Sequence, residues 1–471
     1  MARHESVLLL EKANREGGTC RPSKRERKTC VFSAKRQAVW LEMQGVSNGK
    51  CSIKDSPMRK FLLFAAFATL LSLPAAAGAA SPQLPENGKE GQSLSTAQVI
   101  TEQEKLAGAG NTDAQYWLGE MLFQNHSIVS AKKWLEKAAA NGNLLAEARL
   151  FYIRFCSGQK NDSTKQFNKF EKLAELDSDD AKILLGDFYL AGCGVTKDRR
   201  RAIVYFTSAA QNGDPRAQVS LALEEVEAPE KSFEKIGKIA EQGYAPAQNS
   251  LGFYYENGKG TPKDVQKAVF WYQKAVKQNY APALYNLGLN YETGTGVPKD
   301  SQKAFTLVKQ AAEQGYAPAQ NSLGFYYENG KGTPKNPQKA FIWYHKAAEQ
   351  GNVIAQANLG FCYQDGTGTP KDPRKAFLWF QKAAEQGDTT AQVGLGIYYE
   401  NGIGMPKDPQ QAFTWYQKAA EQGDANAQSS LGLCYENGIG VPKDLQKAVF
   451  WYQKAAGQGD KFAQKKLQEL R

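Results

Sequence analysis

A Leu-Gly pair returns every 36 residues through the second half of this chain: Leu251-Gly252, Leu287-Gly288, Leu323-Gly324, Leu359-Gly360, Leu395-Gly396 and Leu431-Gly432. Weaker copies stand earlier, with irregular spacing, at Leu118-Gly119, Leu150-Phe151, Leu185-Gly186 and Leu221-Ala222. A period of this length with two helical stretches per unit predicts a solenoid, in which a unit buries its apolar face only by stacking on the next. The expected fold class is all-α, an α/α solenoid superhelix of helix-turn-helix repeats. It spans residues 95–471 in about ten units, the recognisable pairs beginning near residue 112. Residues 240–263 and 312–335 are identical, which points to duplication of a two-unit block.

The residues within one period say how the unit folds. In the unit 245–280 a first helix is expected over Pro246–Glu256, with proline in the first turn, where its missing N–H costs nothing. Asn257-Gly258 supplies a left-handed C-cap. Asp264 then caps the second helix, and the sister pairs Asn336-Pro337, Asp372-Pro373 and Asp408-Pro409 put a capping side chain at N-cap and proline at N1. At 100° per residue, Ala247, Leu251 and Tyr255 share one face of the first helix. Ala268, Trp271, Tyr272 and Ala275 form the expected matching stripe on the second, and Gly252 lets the two helices approach. Trp343, Trp379, Trp415 and Trp451 repeat the tryptophan. Leu307 and Val308 replace the aromatic pair in one unit, which is therefore expected to pack more loosely. The last segment, Lys461–Arg471, reads as a lone, polar first helix, the natural C-terminal cap of the stack.

The N-terminal part has a different character. Residues 58–80, MRKFLLFAAFATLLSLPAAAGAA, carry a basic start at Arg59 and Lys60, an apolar run over Phe61–Leu73, and Ala77-Gly78-Ala79 as a small-residue cleavage pattern. These are the features of a secretory signal peptide cleaved near Ala79. The apolar run is too short for a bilayer span of about 20 residues, so no membrane span is expected after cleavage. Residues 1–57 then read as a start-site misassignment ahead of Met58 or as a disordered extension, and the polar stretch 81–94 as a flexible linker. The net charge of +11 would invite a nucleic-acid reading. Eight of those charges precede the cleavage pattern, so the mature chain is nearly neutral and no nucleic-acid partner is expected.

The consensus A-x-A-Q-x-x-L-G-x-x-Y-E-N-G-x-G-x-P-K-D-x-x-K-A-x-x-W-Y-x-K-A-A-E-Q-G resembles the Sel1-like repeat, a relative of the tetratricopeptide repeat. The resemblance is closest over the six C-terminal units. Earlier units depart from it: Phe151 stands in a glycine place, and the unit around Leu223–Lys235 lacks the N-G-x-G-x-P-K-D loop. It implies a scaffold or adaptor with protein partners. For exported bacterial members it implies the periplasm or the secreted fraction, with murein-processing enzymes or host proteins as partners. It also admits an alternative, a murein- or β-lactam-directed hydrolase of the cysteine-rich type. Those members carry a cysteine pair in each repeat, and this chain does not. Cys362 and Cys434 lie two units apart, beyond the 7 Å or so a disulfide tolerates, whereas Cys156 and Cys193 either pair or stay as buried thiols.

Residues 81–471 hold no strand-linked GxGxxG, no Walker loop, no HExxH and no GxSxG. The loop glycines recur in nearly every unit and read as helix caps; His126 and His345 are isolated. No enzymatic activity, metal or cofactor is expected. A binding face can still be drawn from three columns of the first helix lying opposite its core face, by likeness to tetratricopeptide arrays. The first holds Asn249, Tyr285 and Asn321, with Ala357, Val393 and Ser429 after them. The second is apolar, with Phe253, Leu289, Phe325, Phe361, Ile397 and Leu433. The third is acidic, with Glu256, Glu292, Glu328, Glu400 and Glu436, Gln364 being its exception. The pattern suggests an apolar floor beside an acidic ridge, suited to a segment carrying lysine or arginine. The competing reading is that the apolar column packs between units and the glutamates pair with loop lysines.

Overall fold

The computed structural model describes residues 96–124, 128–156, 178–224 and 228–470, with a few positions between 167 and 173. The sequence expectations for 1–57, 58–80 and 81–94, and for His126, lie outside the described residues. Among those described there are twenty-one helices and no strand. They run in antiparallel pairs: α2 (Thr112–Gln124) with α3 (Ile128–Ala140), α5 (Asp179–Ala191) with α6 (Arg199–Gln211), and so on to α19 (Ala425–Asn437) with α20 (Leu445–Gly457). Each second helix also packs on the first helix of the following unit, which makes the chain an all-α repeat solenoid. A lone helix precedes the first pair, α1 (Thr96–Gly108), and another, α21 (Lys461–Glu469), follows the last.

The regular units are set by local chemistry. In α9 (Ala245–Asn257) Gly258 closes the helix in the left-handed region, with φ 68°, and its N–H donates to the Tyr254 carbonyl. Asp264 accepts from the backbone N–H groups of Gln266 and Lys267 at the start of α10 (Val265–Val276). Asn336, Asp372 and Asp408 cap the sister helices in the same way ahead of their prolines. The second loop glycine does a different job from capping. A Cβ on Gly332 would lie 2.1 Å from the Ser301 carbonyl oxygen of the preceding unit, so this position sets the spacing between units.

Packing inside a pair follows the glycine, with three corrections. A Cβ on Gly252 would meet the Tyr272 ring at 2.7 Å, and the Gly324–Tyr344, Gly396–Tyr416 and Gly432–Tyr452 pairs repeat the contact. The tyrosine, not the tryptophan, is the residue wedged between the helices. Trp271 sits at the margin, half-buried, beneath the Lys274 ammonium. On the first helix Tyr254, not Tyr255, enters the core; Tyr255 stands edge-on to Phe233 of the preceding unit. The unit with Leu307 and Val308 does not open. Its helices α11 (Ala281–Thr293) and α12 (Ser301–Glu313) pack as closely as those of its sisters, because Val308 reaches Gly288 directly.

Cys362 and Cys434 are buried thiols, not bonded to each other. Cys193 is buried and disulfide-bonded. Where Phe151 replaces the glycine, an aromatic cluster of Phe151, Phe167, Phe170 and Phe188 fills the interface.

Candidate functional site

The three columns drawn from the sequence fall on the same side of the first helices; thirteen of their eighteen members are half-buried, and Ala357, Val393, Ser429, Phe361 and Glu292 are buried. Phe253, Leu289, Phe325, Ile397 and Leu433 keep part of their surface in solvent, whereas Phe361 is buried against the Phe380 ring, 4.9 Å between centroids. In the first column, side chains link neighbouring units. Asn286 donates to Asn249 and Asn358 to Asn321, each at 2.9 Å, and the Tyr285 and Ser322 hydroxyls lie 3.3 Å apart.

The acidic column is not a free ridge. Glu256, Glu328, Glu400 and Glu436 each accept a hydrogen bond from the tyrosine of their own second helix: Tyr272 at 2.9 Å, Tyr344 and Tyr416 at 2.7 Å, Tyr452 at 2.6 Å. Burial and the adjoining Glu256 carboxylate hold the Tyr272 phenol well above its usual range, so it stays protonated and donates. Burial raises Glu256 as well. Lys466 of the terminal helix also reaches Glu436, at 2.9 Å.

Two units test the pairing internally. Where the second helix carries Phe380, which has no hydroxyl, the acidic place is taken by Gln364. Where it carries Val308, Glu292 remains, only 3% exposed, and is met instead by Lys331 at 2.7 Å, with Oε2 left without a hydrogen-bond partner. The column therefore mixes a structural task, one carboxylate oxygen holding one phenol, with whatever acidity remains at the surface.

Sequence reasoning assigned no role to the glutamine of A-x-A-Q. Gln248, Gln320, Gln356, Gln392 and Gln428 are buried, each donating to an alanine carbonyl at the end of the preceding second helix at 3.1–3.3 Å. Each also accepts from the glutamine closing its own second helix, as Gln350 donates to Gln320 at 2.6 Å. Leu284 breaks the series in the Gly288 unit.

A buried ionic cluster also went unread. Arg149 is 2% exposed, binds Glu120 through two nitrogens at 2.8 Å and Asp187 at 3.0 Å, and covers the Phe123 ring at 4.4 Å. Nearby, buried Arg216 binds Asp214 at 2.7 Å and Asp180 at 2.5 Å. Burial pushes Asp187 up to about 6 against the pull of Arg149. Asp214 stands in the place of Asp388, Asp424 and Asp460, but Arg149, Glu120, Asp187, Arg216 and Asp180 belong to no repeated column of their kind, so periodicity carried no signal for them.

Among the described residues no group of three or more His, Cys, Asp or Glu is placed to hold a metal ion. No described helix is long and apolar enough to cross a membrane. His345 is half-buried, 3.4 Å from Glu349.

The family model for the Sel1 repeat matches residues 112–143, 179–214 and, without a break, 245–460 in six copies of 36. The chain belongs to the Sel1-repeat family. Among its relatives are the chitin synthase regulator SKT5 of Saccharomyces cerevisiae, 30% identical over 36% of this chain and 28% of that protein. The Sel1-repeat-containing protein YjcO of Escherichia coli is 25% identical over 36% of this chain and 63% of its own length. The chain thus spans less than two thirds of either relative. A Sel1 repeat protein from Oxalobacter formigenes is similar in structure, 35% identical over 50% of this chain and 96% of that one, with a TM-score of 0.47. A protective antigen of uropathogenic Escherichia coli with the same repeat fold is 30% identical over 79% and 90%, TM-score 0.38. Membership of the family suggests a protein-interaction scaffold.

Proposed function

We propose that this Sel1-repeat chain is an exported, non-catalytic scaffold that holds a basic protein segment along the inner row of its first helices. One observation carries the reading. The first helices of the six regular units contain six acidic side chains and no lysine or arginine, and a half-buried apolar column runs beside them. A segment presenting apolar anchors and lysine or arginine complements that row in shape and charge. Because Glu256, Glu328, Glu400 and Glu436 already hold tyrosines, anchoring falls to the half-buried apolar column, of which Leu289, Ile397 and Leu433 are the aliphatic members, with the carboxylates steering rather than clamping. Murein-processing enzymes or host proteins are the partner classes that go with an envelope location.

Export rests on the signal-peptide pattern at 58–80 and on the disulfide of Cys193, a bond that persists in oxidising compartments. N-terminal sequencing of the native protein should begin close to Ser81, and a peptide from residues 1–50 in the secreted protein would overturn it. Replacing Leu289, Ile397 and Leu433 together by serine should weaken capture of the partner at least tenfold while leaving the helical signal in place. Chromogenic β-lactam and murein turnover assays are expected to stay blank; sustained turnover would reverse the non-catalytic assignment.

A further inference from the structure

The second helices carry a surface that the binding row does not use. In the six regular units they hold twelve lysines and arginines against four glutamates, the reverse of the first helices. Five of the large apolar side chains left exposed among the described residues fall in one register of these helices: Val204 (67%), Phe270 (50%), Ile342 (50%), Leu378 (55%) and Phe450 (48%). Thr306 and Thr414 complete the regular column. Beside it runs the tryptophan column, half-buried except for the buried Trp415, with a lysine ammonium over the indole: Lys346 at 4.1 Å from Trp343, Lys382 at 4.0 Å from Trp379, Lys418 at 4.1 Å from Trp415. At both ends of the regular array a phenylalanine joins the stack, Phe270 edge-on to Trp271 under Lys274 and Phe450 edge-on to Trp451 under Lys454. Adjoining second helices are close enough on this side for the His345 and Trp379 rings to lie 6.0 Å apart, so the column continues from unit to unit.

We infer that this outer face of the second helices docks on an anionic lipid bilayer. Apolar tips flanked by indoles and by lysines with long apolar stems match the boundary between acyl chains and headgroups, where tryptophan and lysine partition best. The excess of basic charge complements phosphatidylglycerol-type headgroups, and single contacts of this kind add along an array. The column changes identity from Phe to Thr, Ile, Leu, Thr and Phe, which gives a shape-reading protein partner no constant knob; a bilayer reads only polarity and charge. The chain would then lie on the membrane by its second helices while the first-helix row stays open to its protein segment.

The test uses the full chain and compares it with F270S/I342S/L378S/F450S, four changes at exposed positions. Co-sedimentation is measured with phosphatidylcholine vesicles and with vesicles containing one third phosphatidylglycerol. The wild type should partition onto the anionic vesicles at least tenfold better than the variant, and the advantage should shrink as salt rises from 50 to 500 mM. Background binding through residues 61–73 is shared by both chains and is subtracted before the two are compared. A second variant, K274E/K346E/K382E/K454E, should lose the preference for anionic over neutral vesicles with its circular dichroism unchanged. Equal partition of wild type and the serine variant overturns the proposal. So does loss of binding to a poly-glutamate chain without any loss on vesicles, which would make the face a site for acidic protein.

Discussion

Around Arg149 the contacts between units are sealed by ionised groups, a guanidinium held between Glu120 and Asp187, with Arg216 between Asp180 and Asp214 close by. From Ala245 onward most of the same contacts are sealed by neutral amides, a buried glutamine reaching back to the preceding unit and forward to the end of its own; Leu284 and the Glu292–Lys331 pair are the exceptions. Both devices satisfy buried polar atoms, but they differ in what disturbs them. A neutral clamp is indifferent to pH and tolerates loss of one partner at the cost of a hydrogen bond. A buried ion pair, once broken, leaves an uncompensated charge. The periodic half is thus assembled from interchangeable parts, and the irregular half depends on particular residues.

The largest expected effect breaks the irregular half. Arg149→Met should cost about 3–5 kcal/mol, because it strands Glu120 and Asp187 in the interior. Since solenoid stability is a sum of neighbour terms, amide protection measured by hydrogen exchange should fall across residues 112–211 and stay near wild type across 317–457. Uniform loss would show that the two halves are one cooperative block.

Next in size is the exchange at the glycine wedge. Tyr344→Val should cost about 3 kcal/mol, through lost burial and loss of the donor to Glu328. Val308→Tyr should gain about 1 kcal/mol, because its hydroxyl supplies a donor to Glu292 Oε2, the oxygen that Lys331 does not reach. Denaturant midpoints of the two variants measure both signs. A destabilised Val308→Tyr would mean that the Gly288 unit has repacked around valine.

Acid response is set by single buried carboxylates, Asp187 in the irregular half and Asp388 in the periodic one, both pushed up to about 6 by burial. Asp187 holds its proton to about 6 in the folded chain, against about 3.9 for an unfolded aspartate. Its protonated form favours the native state, so this group stabilises at pH below about 4, and that contribution is lost as pH rises through 6. Asp187→Asn should therefore flatten the stability–pH curve between pH 4 and 7 by about 2 kcal/mol, measured by urea titration at each pH. An unchanged slope would place the titration elsewhere.

The smallest change sharpens the neutral clamp. Gln356→Leu, a replacement that the Gly288 unit already carries at Leu284, should cost about 1–2 kcal/mol, because the Ala348 carbonyl loses its side-chain donor and Gln386 keeps only the Lys382 carbonyl. Thermal or urea unfolding measures it, and a cost near that of Arg149→Met would erase the contrast.

What was legible in the sequence follows the same division. Asp264, Gly258 and the Asp-Pro caps act within a few residues of themselves, so their chemistry can be read from spacing alone. The wedge was legible as a need, since Gly252 had to face something large, but the choice of Tyr272 over Trp271 depends on the angle between the helices. The phenol–carboxylate bond spans 16 residues and a loop. It left a trace that could have been found, because Gln364 replaces glutamate in the unit where Phe380 replaces tyrosine. That pairing also explains why an acidic column read as a ridge is partly internal. Arg149 left none, as an unrepeated residue has no column to belong to.

Whether the first-helix row receives a protein segment is tested most directly by crosslinking. A photo-crosslinking amino acid at Leu289 or Ile397 in the full chain should join one partner in common, with the crosslinked peptide carrying lysine or arginine. The same group at Asn401, exposed at the helix end, should join that partner far less. Equal labelling from all three positions, or no partner shared by Leu289 and Ile397, would contradict it.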